Sequence, residues 1–253
     1  MEFIWFIFAG AVVGLAVGIT GVGGGSLMTP LLLLFGFPPH IAVGTDLLYA
    51  GIAKSTGVAM HAKRGNVNWR IVIAMAAGSL PASIITVFLL SQFEKPDHYQ
   101  DILTTTLGLM LTLTAIVVLF RKKLIQTFNL SLNHDQSTKL IFVCGFILGI
   151  LVTLTSVGAG ALGTAIMMIL FPLMRAKNIV GTDLAHAVPL TLVAGIGHIF
   201  LGNVDYLLLM ALLMGSIPSI YLGTRIASHV PNNVLQPILA SALLSFGVKY
   251  LFF

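Results

Sequence analysis

The sequence predicts an all-α integral membrane protein, a polytopic helical bundle built of two internally repeated, inverted halves with broken or short helices at its centre. Three observations carry that prediction. Of 253 residues, 57% are hydrophobic and 8% charged, against about 25% charged in an ordinary soluble domain. Apolar runs recur from end to end without strand alternation, and a helix needs about 20 such residues, at 1.5 Å each, to cross a ~30 Å hydrocarbon core. The text of the first half also returns in the second. A soluble protein would need a polar surface that 13 basic and 8 acidic residues can hardly supply.

The net charge of +5 does not signal nucleic acid, because the basic residues lie in short connections, where they set membrane orientation. A single cysteine, Cys144, permits no internal disulfide, and no C-x-x-C or Cys/His metal pattern occurs, so neither metal nor cofactor is expected. No coherent nucleophile and base pair marks an enzyme.

The elements follow in order. The opening MEFIWFIFAGAVVGLAVGIT begins acidic rather than basic and precedes many further apolar runs, so it reads as a retained first helix. Helices are expected over about residues 3–19, 26–36, 41–60, 70–91, 101–120, 139–156, 160–173, 179–199, 205–225 and 233–252. The connections are short, apart from SQFEKPDHYQ and the basic stretch between Arg121 and Lys139. That stretch divides the chain into a first transmembrane repeat over 1–123, a polar cytoplasmic linker over 124–138 and a second repeat over 139–253.

Segments 26–36 and 160–173 are short for a crossing, and each reads as a re-entrant half helix or a broken span. If both cross, Lys63, Arg64, Arg70, Arg121, Lys122, Lys123, Lys139, Arg175, Lys177 and Arg225 share one side, and only Lys95 and Lys249 face the other. If neither crosses, the bias weakens. The positive-inside rule therefore favours ten crossings with both termini outside.

The repeat is explicit. VGTDLLYA, a histidine, GNV and GSLP between Val43 and Pro81 recur as VGTDLAHA, a histidine, GNV and GSIP between Val180 and Pro218, at a constant offset of 137 residues. TGVGGGSL at Thr20 lies over TSVGAGAL at Thr155, offset by 135. Five crossings per half would make the second copy enter from the opposite side, the arrangement of transporters that expose a central site alternately.

Gly21, Gly23, Gly24 and Gly25 interrupt the oily text, with Ser26 placed to cap the segment that follows. Bare backbone in hydrocarbon is costly, so it belongs in protein or beside a polar cavity, where opening amides and a helix dipole can hold an anion. Ser156, Gly158 and Gly160 repeat the device. The alternative is that these glycines only let helices approach closely.

Asp46 and Asp183 lie near the starts of corresponding helices, where a carboxylate caps the helix or carries a coupled proton. Lys54, whose counterpart is Thr191, is the most isolated charge; it attracts an anion in a cavity or snorkels to the interface. His61 and His198, each before a GNV turn, titrate in a working cycle or bond to their loops. Trp69 and Tyr206 read as interfacial anchors. Pro81 and Pro218 bend their helices, as static features or as hinges.

GITGVGGGSLMTPLLL, VGTDLLYA, HAKRGNVNW, VGTDLAHAV and GHIFLGNVDY together resemble the TauE/SafE family of sulfite exporters, over essentially the whole chain. The resemblance implies a bacterial or archaeal inner-membrane permease for small sulfur-containing anions such as sulfite or sulfonates. The expectation is a secondary transporter working by alternating access. Its substrate is held by Gly21, Gly23, Gly24, Gly25, Ser26, Lys54, Ser156, Gly158 and Gly160, and Asp46, Asp183, His61 and His198 are candidates for proton coupling. Its partners are a small inorganic or organic anion, protons and the lipid bilayer, with homo-oligomers open. An anion channel and a membrane scaffold are the alternatives.

Overall fold

A computed structural model describes residues 2–20, 25–93, 99–127, 134–226 and 232–252. Among these residues the chain is helical throughout: α1 (Glu2–Thr20), α2 (Gly25–Leu34), α3 (Pro39–Lys63), α4 (Trp69–Leu90), α5 (Gln100–Thr127), α6 (His134–Thr155), α7 (Ala161–Leu170), α8 (Ala176–Phe200), α9 (Tyr206–Ile226) and α10 (Asn232–Phe252). Every expected helix is present. Five of them, α4, α5, α6, α8 and α9, contain runs long and apolar enough to cross a membrane. α2 and α7 have 10 residues each, about 15 Å or half a hydrocarbon core.

One boundary differs from the sequence reading. The basic stretch after Arg121 continues α5 to Thr127, and α6 starts at His134, so helix occupies both ends of the expected 124–138 linker. RKKLIQT contains no glycine or proline, and nothing in it stops a helix already under way. Residues 128–133 lie outside the described residues.

The core is apolar as in a soluble protein, but the outer surface is apolar too, and a minority of polar groups is buried inside. Ile73, Ile84, Phe88 and Leu89 of α4 and Leu207, Met210, Met214 and Ile217 of α9 face outward, whereas Thr45, Asp46, Lys54, Ser79, Asp183, His186, His198 and Asn203 are buried. Such an exposed apolar surface suits lipid, and the buried polar groups must find partners inside.

Small residues set the helix pairs. Gly10, Gly14 and Gly18 of α1 lie directly on the backbone of Leu212, Ser216 and Gly223 of α9, so these helices run parallel. Gly145 and Gly149 of α6 lie on Met75 and Ser79 of α4, again in parallel. α3 and α8 instead run antiparallel: Gly44 faces His198, Gly51 faces Thr191 and Leu192, and Gly57 faces Leu184. Gly108 against Leu251 and Gly247 against Thr112 make α5 and α10 antiparallel as well. Without side chains at these positions the backbones approach closely, which supplies the van der Waals attraction that the hydrophobic effect cannot supply between helices in lipid.

The repeated GTD and GNV motifs hold one half to the other. α3 and α8 end in matched glycine caps, with Gly65 at φ 65° and Gly202 at φ 73°. The amides of Asn66 and Asn203 reach back to the carbonyls of His61 and His198. The next helices are capped by Asn68, which accepts from the Ile71 amide, and by Asp205, which accepts from the Leu208 amide. Each turn then crosses to the other half's GTD: the Asn68 amide donates to Thr182 Oγ1 at 2.9 Å, and the Asp205 amide donates to Thr45 Oγ1 at 3.1 Å. Gly181 and Gly44 face the carbonyls of Asn66 and Asn203, where a side chain would collide.

Candidate functional site

The antiparallel α3–α8 seam brings three buried charges together. Asp46 and Lys54 come from α3 and Asp183 from α8. At 1.5 Å per residue, Lys54 lies about 12 Å along the axis from Asp46 and about 6 Å from the level of Asp183, given the pairing of Gly57 with Leu184. Lys54 is 5% exposed. Its charge acts on Asp183 and on Asp46, and its Nζ donates to the Ala159 carbonyl at 2.8 Å. The lysine therefore points into the bundle and does not snorkel.

The break between α6 and α7 runs beside this line of charge. Ser156 adopts φ 59°, Gly158 φ 102° and Gly160 φ 138°, left-handed conformations that glycine takes readily and serine at a cost. The Ser156 hydroxyl lies beside the Asp46 carboxylate, the Ala159 carbonyl receives Lys54, and Gly163 packs on the Asp183 carboxylate. The interruption thus passes Asp46, Lys54 and Asp183 in turn. Some of its amides are already used. Leu162 and Gly163 donate to the Gly158 carbonyl and Thr164 to that of Gly160.

The two carboxylates are held differently. One Asp46 oxygen accepts from the Thr29 amide at 3.1 Å and from the Thr29 hydroxyl at 2.5 Å. Asp46 thus sits two turns inside α3, not at its start, and ties down the opening of α2. Oδ1 of each carboxylate has no hydrogen-bond partner among the described residues, so the difference lies in the Thr29 bonds to the other Asp46 oxygen. The counterpart of Thr29, Thr164, turns its hydroxyl back to the carbonyls of Gly160 and Ala161.

The histidines also diverge. His198 is buried and its Nε2 faces the Thr153 carbonyl at 3.0 Å. A carbonyl only accepts, so Nε2 carries the proton and Nδ1 accepts from Asn203 Nδ2 at 3.2 Å. Asn203 also pairs with Tyr99. Tyr99 is buried just before α5, and burial raises its phenol above the ordinary value against the pull of Asn203, so it stays a neutral hydroxyl. His61 is half-buried at the basic end of α3, and its Nδ1 has no partner among the described residues. His186 pairs with Ser79 at 2.8 Å.

Of the residues singled out from sequence, Lys54, Asp46, Asp183, Ser156, Gly158 and Gly160 come together along the seam. His61 and His198 lie at opposite ends of it. Gly21, Gly23 and Gly24 lie outside the described residues, and Gly25 and Ser26 open α2. Trp69 and Tyr206 begin α4 and α9 and are exposed. Sequence reasoning missed Thr29, Ser79, Tyr99 and Arg121. Thr29 and Thr164 had a signal in their matched positions, as did Ser79 with its twin Ser216; Tyr99 and Arg121 had none without the fold. No group of three or more His, Cys, Asp or Glu is placed to hold a metal among the described residues.

Residues 6–250 match the family described as "Sulfite exporter TauE/SafE". The chain is 40% identical over 248 residues to the probable membrane transporter protein YjnA of Bacillus subtilis, covering 96% of this chain and 97% of that protein. It is 31% identical to the probable membrane transporter protein YdhB of the same organism, covering 92% and 96%. It is also 31% identical to a probable membrane transporter protein of Methanocaldococcus jannaschii, covering 97% and 93%. No solved structure matches.

Proposed function

The chain belongs to the TauE/SafE family, and from that premise we propose that it is a secondary transporter moving small sulfur-containing anions, sulfite or an organosulfonate, across the inner membrane of the cell by alternating access. The observation that carries this reading is Lys54, a cation buried where antiparallel α3 and α8 cross a helix break, with its ammonium donating to the Ala159 carbonyl. A charge so placed is costly even with partners, and intramembrane charges of this kind mark substrate and ion pathways. An anion arriving at Lys54 replaces a carbonyl with a charge-assisted partner.

Inverted repeats are supported by the 137-residue offset together with the antiparallel pairing of matched helices, α3 with α8 and α5 with α10. Parallel α1–α9 and α4–α6 agree with the same arrangement. Ten passes, with both termini outside, then place the basic ends of α3, α5 and α9 on the cytoplasmic side. Asp183, which lacks the Thr29 bonds that fasten Asp46 and has Lys54 and Arg121 acting on it, is the carboxylate suited to carry a coupled proton.

Purified protein in proteoliposomes, given sulfite, sulfate, thiosulfate or sulfoacetate under an imposed pH gradient, tests this reading. The expected result is saturable uptake with counterflow, favouring the sulfur anions of lower oxidation state or the sulfonate and accelerated by the proton gradient. Unsaturable flux without counterflow contradicts alternating access and indicates a channel.

A further inference from the structure

We propose that Arg121 is a second anion-binding residue, which receives the substrate between the basic end of the bundle and Lys54. The inference rests on the transport reading above. Arg121 lies near the end of α5, where an arginine ordinarily extends along the apolar surface to reach water and lipid headgroups. Here it turns inward. Its Nε and Nη2 donate to the sulfur of Met168 on α7, at 3.1 and 2.8 Å.

A thioether is a weak acceptor, and a guanidinium offers five donors in a planar fork. An arginine that directs two of them at a methionine sulfur has its strongest bonding capacity unspent. The surroundings indicate what would use it. The charge of Arg121 acts on Asp183, the same carboxylate that faces Lys54 from the other side and whose Oδ1 is unpartnered among the described residues. Arg121, Asp183 and Lys54 therefore form one line of alternating charge along α7, from its last turn at Met168 to the break at Ala159.

The chemistry selects the ligand. Nε and Nη2 present parallel donors that match two oxygens on one edge of an oxyanion, as in sulfite or a sulfonate. Halide, which has no such edge, gains only the charge. Met168 holds the fork in place when no anion is present and yields it readily, because a thioether bond is weak and the methionine side chain adapts. Asp183 stands between the two cations and prevents them from holding the anion permanently.

Uptake of radiolabelled sulfite into proteoliposomes tests this, with wild type compared with Arg121→Gln, Arg121→Lys and Met168→Leu. Arg121→Gln is expected to raise half-saturation at least tenfold while flux at saturating sulfite stays within threefold. Arg121→Lys, which keeps charge without the fork, should fall between. Met168→Leu should leave half-saturation unchanged or lower it, and a fivefold rise would show that the sulfur belongs to the site and overturn the account of it. Half-saturation within twofold of wild type in Arg121→Gln overturns the inference, and the same result in Arg121→Lys overturns the bidentate contact. If a variant carries no flux, thermal stabilisation of the detergent-purified protein by sulfite replaces the uptake reading: stabilisation equal to that of wild type overturns the inference, and its loss supports it. Wild-type vesicles that exclude every sulfur anion overturn the transport reading itself, a result distinct from all of these.

Discussion

Asp46 and Asp183 occupy the same place in the two halves, in the same GTD text, two turns into matched helices, yet their surroundings assign them different work. Asp46 is fastened: the amide and hydroxyl of Thr29 both donate to it. Oδ1 of both is unpartnered among the described residues, but Asp183 lacks that clamp, because Thr164 turns its hydroxyl back to Gly160 and Ala161; it packs on Gly163, with Lys54 and Arg121 acting on it. The counterpart of Lys54 is Thr191, whose hydroxyl bonds to the Ala187 carbonyl of its own helix. A duplicated framework thus separates a structural carboxylate from one available to a ligand or proton. The change of partner, not the change of aspartate, makes the difference.

The comparison is broken most severely at Lys54. Lys54→Met is expected to lower sulfite flux about 100-fold, equivalent to ~2.7 kcal/mol of barrier, whereas Lys54→Arg keeps the charge and at least a tenth of the flux. Retained flux in Lys54→Met protein that inserts normally would remove the charge from the mechanism.

Next come the carboxylates themselves. Asp46→Asn loses charge-assisted bonds to Thr29 and should destabilise the detergent-purified protein by about 2 kcal/mol, read as a lower unfolding temperature. Asp183→Asn should leave that temperature nearly unchanged and lower proton-driven flux at least tenfold. Equal effects of the two substitutions on stability would erase the distinction. A finer probe is Gly163→Ala, whose methyl would strike Asp183 Oδ1 and so is expected to cut flux severalfold while insertion is kept. Wild-type uptake by this variant would show that the carboxylate has room to move aside.

The smallest expected difference lies at the histidines. His198→Ala leaves Asn203 and the Thr153 carbonyl short of a partner and should cost about 1–2 kcal/mol. His61→Ala, at a half-buried site, should cost less than about 0.5 kcal/mol. The more heavily bonded turn around His198 reads as the closed end of the seam, so reversal of this order in thermal unfolding would count against that assignment.

Much of the architecture was legible in the sequence because apolar periodicity and glycine placement are local signals. All the helices were, including the two short ones, and so was the matched GTD and GNV text. What was not legible depends on partners far along the chain. Asp46 reads as serving the start of its own helix, but its bonds go to Thr29 of α2. Thr45 and Thr182 meet turns 160 and 114 residues away, and Lys54 meets a carbonyl 105 residues away. Arg121 read as an orientation charge because the text around it is basic, and only the α5–α7 contact turns it inward. The glycine break suggested anion-holding amides, but Thr29 and the amides of Leu162, Gly163 and Thr164 are engaged by protein groups, which moves the weight of anion binding towards Lys54.

The central claim is that the seam at Lys54 opens to each side of the membrane in turn and is occupied by the substrate. It is tested most directly by placing a single cysteine at Ala159, in a Cys144→Ser background, and labelling it with a membrane-impermeant thiol reagent applied to either face of transport-competent vesicles. The account predicts labelling from both faces and protection from both by sulfoacetate. A cysteine that is never labelled, or labelled from one face only, in vesicles that carry out full counterflow would contradict it.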